Sequence, residues 1–168
     1  MSILFCIGHQ QKTIFNYSNK ENIMDLYDLD HKIIHSENLN SIKELVERCI
    51  ELDKCMDSAD LYGAYLSRVN LSKGLFSYSD FSKSNLSGAK GISAVLRATV
   101  FIRTNLQGIV LEKCNLIDAN FRLADLAGAI FHECNLHGAN FVGANIDNVD
   151  FSNCMGMTGI SGCYGLKH

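Results

Sequence analysis

The sequence of 168 residues is 47% hydrophobic and 20% charged, carries a formal net charge of −3, and contains no proline and no tryptophan. These values fit a folded domain, and no stretch approaches the ~20 apolar residues of a membrane helix, so no membrane span is predicted. Seven cysteines without a CxxC pair predict neither a disulfide framework nor a zinc cluster, and the expected compartment is therefore the reducing cytoplasm.

The N-terminal segment, residues 1–58, is expected to form a small α/β cap. Its apolar start has no preceding basic residue and no following cleavage site, so no signal peptide is predicted. Ile3–Ile7 and Thr13–Tyr17 are predicted to be short strands, whereas residues 22–35 leave both a helix and irregular structure open. With ten acidic and six basic residues, this segment carries a net charge of −4.

A helix over about residues 41–56 is predicted to end the cap. Ser41 and Glu44 have the spacing of a capping box, which satisfies free amides of the first helical turn. Apolar residues then recur at helical spacing and form one face: Ile42, Leu45, Val46, Cys49, Leu52 and Met56. This face is expected to cover the first coil of the region that follows, because the end of a repeat structure otherwise exposes its core and its strand edges.

From Ala59 to Cys154 the sequence repeats every five residues. When the large residue of each unit is placed at its centre, the centres run from Leu61 to Phe151 in nineteen units, and eighteen of them are Leu, Phe or Ile. The residue two before the centre is small in eighteen units, and the residue directly before the centre is Asp or Asn in twelve. A period of five fits neither a helix nor a plain strand, so a repeat architecture is predicted.

A second period, of twenty residues, is superimposed on the first. Every fourth centre belongs to one column, and Phe and Leu separate by column. Four units per coil would produce this pattern, with like side chains stacked one strand spacing apart, ~4.8 Å. The predicted core therefore contains a column of phenylalanines and a column of leucines: Phe81, Phe101, Phe121 and Phe141, and Leu86, Leu106 and Leu126.

These units resemble the pentapeptide-repeat family, whose pattern is a small residue, Asp or Asn, Leu or Phe, and then two variable positions. The resemblance covers residues 59–154 and implies an all-β solenoid, a right-handed quadrilateral β-helix of just under five coils. It also implies that the centres and the small residues point inward and the other three positions outward. The Asp and Asn residues are expected to bond nearby backbone, as both suit turns.

Two places depart from the regular pattern. Gly91 leaves a gap where a large side chain belongs, and a local bulge that turns Ile92 inward is expected to fill it. Residues 155–168 hold four glycines without a helical period, and we expect a Gly-rich loose tail or a final imperfect rung. The apolar C-terminal helix through which members resembling the quinolone-resistance proteins dimerise has no counterpart in this sequence.

Three cysteines share one inward column of the repeat. Cys114, Cys134 and Cys154 fall on consecutive rungs, within the α-carbon spacing that a disulfide requires. A redox or metal role therefore competes with simple packing of a small apolar side chain. Packing is favoured, because a dry column offers no base to activate a thiol.

No catalytic, cofactor-binding or metal site is predicted elsewhere. His132, Glu133 and His137 cluster on outward positions, but five residues around a corner is not a chelating spacing. An enzyme site in the N-terminal segment would have to use three histidines, His9, His31 and His35. This segment is too short for an independent catalytic domain, so an enzyme is the least favoured hypothesis.

Several outward positions carry apolar residues, and exposed apolar patches often mark partner sites. Leu75 is expected to lie under Val95 and Val110 under Ile130, on neighbouring rungs. The predicted partner surface consists of seven residues: Leu75, Val95, Val100, Ile102, Val110, Leu123 and Ile130. Scattered surface side chains, or cover by the N-terminal segment, are the competing explanation.

The net charge of the coil distinguishes between the two functions that the resemblance implies. Members that imitate DNA and bind gyrase need a strongly negative coil, whereas residues 59–154 hold eight acidic and eight basic residues. We therefore expect a non-enzymatic protein–protein interaction module, a host-directed adaptor or inhibitor of bacterial or phage origin, with topoisomerase (gyrase) binding as the alternative. Direct nucleic-acid binding is not expected, because the coil lacks a basic stripe.

Overall fold

The computed structural model describes residues 17–18, 23–38 and 41–157. The first elements form an antiparallel sheet in the order β1 (Tyr17–Ser18), β2 (Ile23–Tyr27) and β3 (Ile33–Asn38). Most of the stretch 22–35, for which the sequence left a helix open, is therefore a β-hairpin. The predicted strand Ile3–Ile7 and residues 13–16 lie outside the described residues.

The hairpin turn explains why a helix does not form there. Asp28 Oδ1 accepts the amide hydrogens of Asp30 and Lys32 at 3.0 and 2.8 Å. His31 adopts a left-handed φ of 61°. An aspartate that bonds its own downstream backbone favours a turn over a helix.

Helix α1 runs from Ile42 to Glu51. Its start follows the prediction, since Ser41 Oγ accepts the amide hydrogen of Glu44 at 3.2 Å. Four residues of the predicted face are buried, Ile42, Leu45, Val46 and Cys49, whereas Leu52, which was also expected on this face, is 41% exposed.

The helix ends before the predicted limit at residue 56. Asp53 adopts a left-handed φ of 50°. The amides of Asp53 and Lys54 donate to the carbonyls of Ile50 and Cys49 at 3.0 and 2.8 Å. This is a Schellman end, which glycine usually marks, so the aspartate in that place hid the helix end in the sequence.

The rest of the described chain is a parallel β-solenoid in which residues twenty apart are paired. The pairing begins at Cys55 with Leu75 and reaches Asn135 with Met155. It therefore starts one unit before the predicted beginning of the repeat. Three rungs lengthen into regular parallel strands: β4 (Lys90–Ile92), β5 (Val110–Glu112) and β6 (Ile130–His132).

Each unit turns a corner directly after its centre. At Leu61, for example, the carbonyl accepts the amide hydrogen of Ala64 at 3.1 Å, and Gly63 between them has a φ of 68°. A positive φ at the third residue is the pattern of a type II turn. The equivalent position is left-handed in all twenty units from Ser58 to Asn153, and fourteen of these residues are not glycine.

The phenylalanine column forms the centre of the interior. Phe81, Phe101, Phe121 and Phe141 are buried, and their successive ring centroids lie 5.3, 5.0 and 4.8 Å apart in stacked orientation. Three further core leucines are also buried: Leu86, Leu106 and Leu126.

The gap at Gly91 is filled from a neighbouring rung. Ile92 remains 51% exposed, so the expectation that it turns inward is wrong. A Cβ built on Gly91 would lie 2.8 Å from Leu111 Cδ2. The Leu111 side chain therefore occupies the space, and a glycine is needed there to make room for it.

Both ends of the coil are attached to flanking residues. At the start, the Tyr27 carbonyl accepts the amide hydrogen of Asp60 at 2.9 Å, and the buried face of α1 belongs to the same core as Met56. At the end, Leu136 donates its amide hydrogen to the carbonyl of Met155 at 2.9 Å. The first residues of the predicted tail thus continue the last rung, and residues 158–168 lie outside the described residues.

Candidate interaction surface

Each Asp or Asn directly before a centre braces the corner that follows it. Its Oδ1 accepts the amide hydrogen of the residue two positions on, as Asn120 does from Arg122 at 3.2 Å. All twelve such residues make this bond: Asp60, Asn70, Asp80, Asn85, Asn105, Asn115, Asn120, Asp125, Asn135, Asn140, Asn145 and Asp150. These side chains are structural acceptors, as the turn chemistry predicts.

One side of the coil, here called the cysteine side, lacks Asp or Asn at three successive rungs. Lys90, Val110 and Ile130 stand there instead, in β4, β5 and β6. Val110 lies under Ile130, as the sequence predicts. β-branched residues suit extended strands, so the local sheet accounts for both side chains without a partner.

The three corners on the cysteine side are open. The carbonyls of Gly91, Leu111 and Phe131 do not accept the turn hydrogen bond that the other corners make. A cysteine of the next rung replaces it, with sulfur-to-oxygen distances of 3.3, 3.3 and 3.1 Å for Cys114, Cys134 and Cys154 respectively. The corner amide that the turn leaves free contacts the same sulfur.

These contacts give the cysteine column a structural role. A side-chain hydrogen bond with Cys114, together with burial, raises the pKa of the Cys134 thiol, and burial raises the pKa of Cys154. A raised pKa keeps the proton on the sulfur of Cys134 and Cys154, where the thiol is a donor and a poor nucleophile, whereas the side-chain hydrogen bond with Cys134 lowers the pKa of Cys114. The cysteine side chains therefore supply, from the interior of the coil, the hydrogen bonds that the open corners lack.

Four outward side chains of the cysteine side contact one another: Glu112, Lys113, His132 and Glu133. Lys113 Nζ lies 3.3 Å from Glu112 and 3.8 Å from Glu133. His132 contacts Glu133 through Nε2 at 3.1 Å and Ser152 Oγ through Nδ1 at 3.0 Å. We call these five residues the ion-paired cluster. It is half-exposed, and such surface pairs contribute little to stability.

The other histidines do not assemble a site. The amide of His137 donates to Asn135 Oδ1 at the next corner, and His31 is exposed at the hairpin turn. The backbone of His35 pairs with Leu26 in the hairpin, and His9 lies outside the described residues. Within residues 17–18, 23–38 and 41–157, no three His, Cys, Asp or Glu side chains converge to hold a metal ion.

A second predicted patch lies on a different side. Leu75 pairs in parallel with Val95, as the sequence predicts, and Leu75 is 41% exposed. Both residues replace Asp or Asn, and both corners after them remain closed. Among the described residues, polar compensation on this side is partial, since Asp57 Oδ1 accepts the amide hydrogen of Ser77 at 2.7 Å.

The remaining three predicted residues line a groove of about 350 Å³ on the side that carries the phenylalanine column. Val100 and Ile102 are half-buried, and Leu123 is 48% exposed. Nine residues line this cationic groove: Tyr62, Asp80, Ser82, Lys83, Val100, Ile102, Arg103, Arg122 and Leu123. Three of the predicted residues thus form the apolar floor of this groove, and the prediction did not include the polar and charged residues of its rim.

The rim holds three cations and one carboxylate. Lys83 and Arg103 occupy the same corner position on successive rungs, twenty residues apart, and Lys83 Nζ lies 5.2 Å from the centre of the Tyr62 ring. None of Lys83, Arg103 and Arg122 makes an ion pair among the described residues. The twenty-residue spacing of Lys83 and Arg103 was the available sequence signal for this rim.

Val100 interrupts an otherwise complete column of acceptors. The rungs below and above carry Asp80 and Asn120 at the same position, and each accepts a corner amide. With Val100 in that place, the amide of Ile102 has no protein acceptor among the described residues. The groove thus combines an apolar floor, three cations and an unpaired backbone donor.

A parallel β-solenoid with five-residue units and inward Leu and Phe centres defines the class of this protein. The family model for pentapeptide repeats matches in eight copies, over residues 55–90, 94–132 and 119–154. The chain belongs to the pentapeptide-repeat family. No curated protein matches the sequence.

Solved structures with a similar coil include three pentapeptide-repeat proteins. A trypsin-treated variant of QnrB1, a plasmid-mediated fluoroquinolone resistance protein, is 23% identical with a TM-score of 0.49, covering 56% of this chain and 52% of that chain. HetL, involved in heterocyst differentiation regulation in the cyanobacterium Nostoc sp. strain PCC 7120, is 23% identical, with a TM-score of 0.43 and coverage of 63% and 44%. A protein of the Arabidopsis thaliana thylakoid lumen is 29% identical, with a TM-score of 0.39 and coverage of 56% and 59%.

In each of these three comparisons the match spans less than two thirds of the other chain. Within the described residues of this protein, none of the helices has the length and apolar character needed to cross a membrane.

Proposed function

We propose that this protein is a non-enzymatic protein–protein interaction module that acts in the cytoplasm and is of bacterial or phage origin. The observation that carries the proposal is the cationic groove, where apolar side chains and unpaired donors are held on a rigid coil. Protein surfaces that bind partners combine such apolar patches with charged rims. A host-directed adaptor or inhibitor role fits a module of this kind.

The proposal includes the finer architecture of the coil. Twenty units at four per rung make five rungs, and a right-handed winding is favoured because parallel strand connections are almost always right-handed. We propose that residues 1–58 cap the first rung. The bond from the amide of Asn70 to Glu47 Oε1, at 3.0 Å, supports this role for α1.

Affinity capture from a bacterial lysate, followed by mass spectrometry, tests the proposed function. Three double variants place aspartates on the three predicted patches: Leu75→Asp with Val95→Asp, Val110→Asp with Ile130→Asp, and Val100→Asp with Leu123→Asp. We expect reproducible capture by the wild-type chain and selective loss with the groove variant. Failure of the folded wild-type chain to capture any protein would contradict the interaction role.

Topoisomerase binding ranks second, because the coil holds equal numbers of acidic and basic residues and imitates DNA poorly. A gyrase supercoiling assay with and without ciprofloxacin addresses it directly. Protection of gyrase at stoichiometric protein would reverse the ranking.

A further inference from the structure

We propose that the cationic groove binds an acidic segment of a partner protein, with a partner carboxylate taking the place of the side chain that Val100 lacks. This inference rests on the proposed interaction role and specifies its chemistry. Every Asp or Asn directly before a centre accepts the amide hydrogen two residues on, and the Val100 position alone breaks this pattern in its column. The amide of Ile102, which has no acceptor among the described residues, therefore occupies the same position as the amides that donate to Asp or Asn at the other corners of this column.

The surrounding charge selects an anionic acceptor. Lys83, Arg103 and Arg122 line the groove without ion pairs to any described residue, against the single carboxylate of Asp80. Asp80 already accepts the amide hydrogen of Ser82 at 2.8 Å. A carboxylate that accepts from a backbone amide and from arginine makes charge-assisted hydrogen bonds, which are stronger than neutral ones.

The apolar floor requires more than a free anion. Val100 and Ile102 are half-buried, and Leu123 extends over the next rung, where a Cβ on Gly143 would lie 2.7 Å from Leu123 Cδ2. An aliphatic side chain next to the carboxylate would cover this floor and remove water from the charged contacts. The occupant is therefore a peptide segment in which acidic and aliphatic residues adjoin.

Charge density favours a protein segment over a nucleic acid. A phosphate backbone is bound by a continuous set of cations, and the coil as a whole is neutral. On the same side of the coil, Asp60 and Asp80 lie on the two rungs below Val100. These carboxylates would repel a duplex extending along the coil axis.

Fluorescence anisotropy with a fluorescein-labelled hexapeptide of alternating glutamate and leucine tests this inference. Two variants form the central comparison, because both restore the repeat pattern. Val100→Asn supplies the missing acceptor inside the groove, whereas Val95→Asn makes the same change on another side. Neither is expected to lower the melting temperature. Arg103→Glu reverses one rim charge, and Lys73→Glu is its control at an equivalent left-handed corner position outside the groove.

We expect the peptide to bind the wild-type chain and Val95→Asn equally, and to bind Val100→Asn about tenfold more weakly, the loss expected for one hydrogen bond to a charged group. Arg103→Glu should weaken binding at least as much, while Lys73→Glu should not. Binding should also weaken as salt concentration rises. A version of the peptide with lysine in place of glutamate should not bind.

Three results would overturn the inference: no peptide binding to the wild-type chain at up to ~1 mM, equal binding to Val100→Asn, or displacement of the peptide by a short DNA duplex, which would assign the groove to nucleic acid. The titration uses no natural partner. Its failure is therefore distinguishable from failure of the interaction role, which the capture experiment decides.

Discussion

The cysteine side and the groove side of the coil both depart from the five-residue pattern, and they differ in what compensates the departure. On the cysteine side, Val110 and Ile130 pair as strands, cysteines bond the opened corners, and neighbouring outward side chains form the ion-paired cluster. On the groove side, the amide of Ile102 lacks an acceptor and three cations lack ion-pair partners among the described residues. A departure that the fold compensates is structural, whereas an uncompensated donor that lies among cations, as in the groove, indicates a binding surface.

The largest expected loss of stability comes from disrupting the interior, on which both sides depend. Phe121 stacks between Phe101 and Phe141 at centroid distances of 5.0 and 4.8 Å, so Phe121→Ala would leave a cavity in a stiff coil. We expect a loss of about 3–5 kcal/mol in the free energy of unfolding. Chemical denaturation measures it.

Arg122→Ala is the matched control for this variant, because the neighbouring side chain points outward. Its unfolding free energy should change by less than about 0.5 kcal/mol. Similar losses for both variants would mean that the inward and outward assignments are wrong.

The next largest loss of stability is expected when a cysteine that bonds an open corner is removed. Cys134→Ala removes the thiol that makes hydrogen bonds at the open corner after Leu111. The buried carbonyl of Leu111 would then have no donor. We expect a loss of about 1–3 kcal/mol in the free energy of unfolding. Cys134→Ser, which keeps a donor and an acceptor, should lose less. An unchanged midpoint of chemical denaturation for Cys134→Ala would show that the thiol only fills space.

How much of these two sides can be predicted from the sequence depends on whether burial or hydrogen bonding determines the structure. The interior followed from the period, because one large residue per unit has only one direction in which it can be buried. The corners were predicted incompletely. In the column of Leu71, Gly91, Leu111, Phe131 and Phe151, the corners preceded by Asn70 and Asp150 are closed, and those preceded by Lys90, Val110 and Ile130 are open. A missing acceptor was visible in the sequence but was not a sufficient signal, because the corners after Leu75 and Val95 lack it too and remain closed.

Other features could not be predicted from local pattern. The end of α1 at Glu51 depends on Asp53 in a left-handed conformation, where the sequence gives no glycine. The filling of the Gly91 gap depends on a leucine twenty residues away. The groove likewise depends on residues from adjacent rungs, so only a twenty-residue reading of the outward positions would have joined Lys83 to Arg103.

The smallest expected effect concerns Asp60, at the lower end of the groove side. Burial raises the pKa of this carboxyl above its ordinary value of 3.8. The folded state therefore holds the proton to higher pH than the unfolded state, so stability falls as pH rises through this window, and the cost persists above it. Asp60→Asn keeps the acceptor for the Tyr62 amide and should slightly stabilise the protein at pH 7. The gain should vanish below the unfolded pKa in pH-dependent denaturation, and a gain that is constant with pH would contradict this origin.

The distinction between a compensated and an uncompensated side is tested most directly by amide chemical shifts in a ¹⁵N NMR titration with the acidic hexapeptide. The expected result is that the shifts of Lys83, Ile102, Arg103 and Leu123 move with increasing peptide, with the largest change at Ile102. The amides of Glu112, Lys113, His132 and Glu133 on the cysteine side should remain in place. Equal changes on both sides, or changes confined to the cysteine side, would contradict the assignment of the groove as the binding surface.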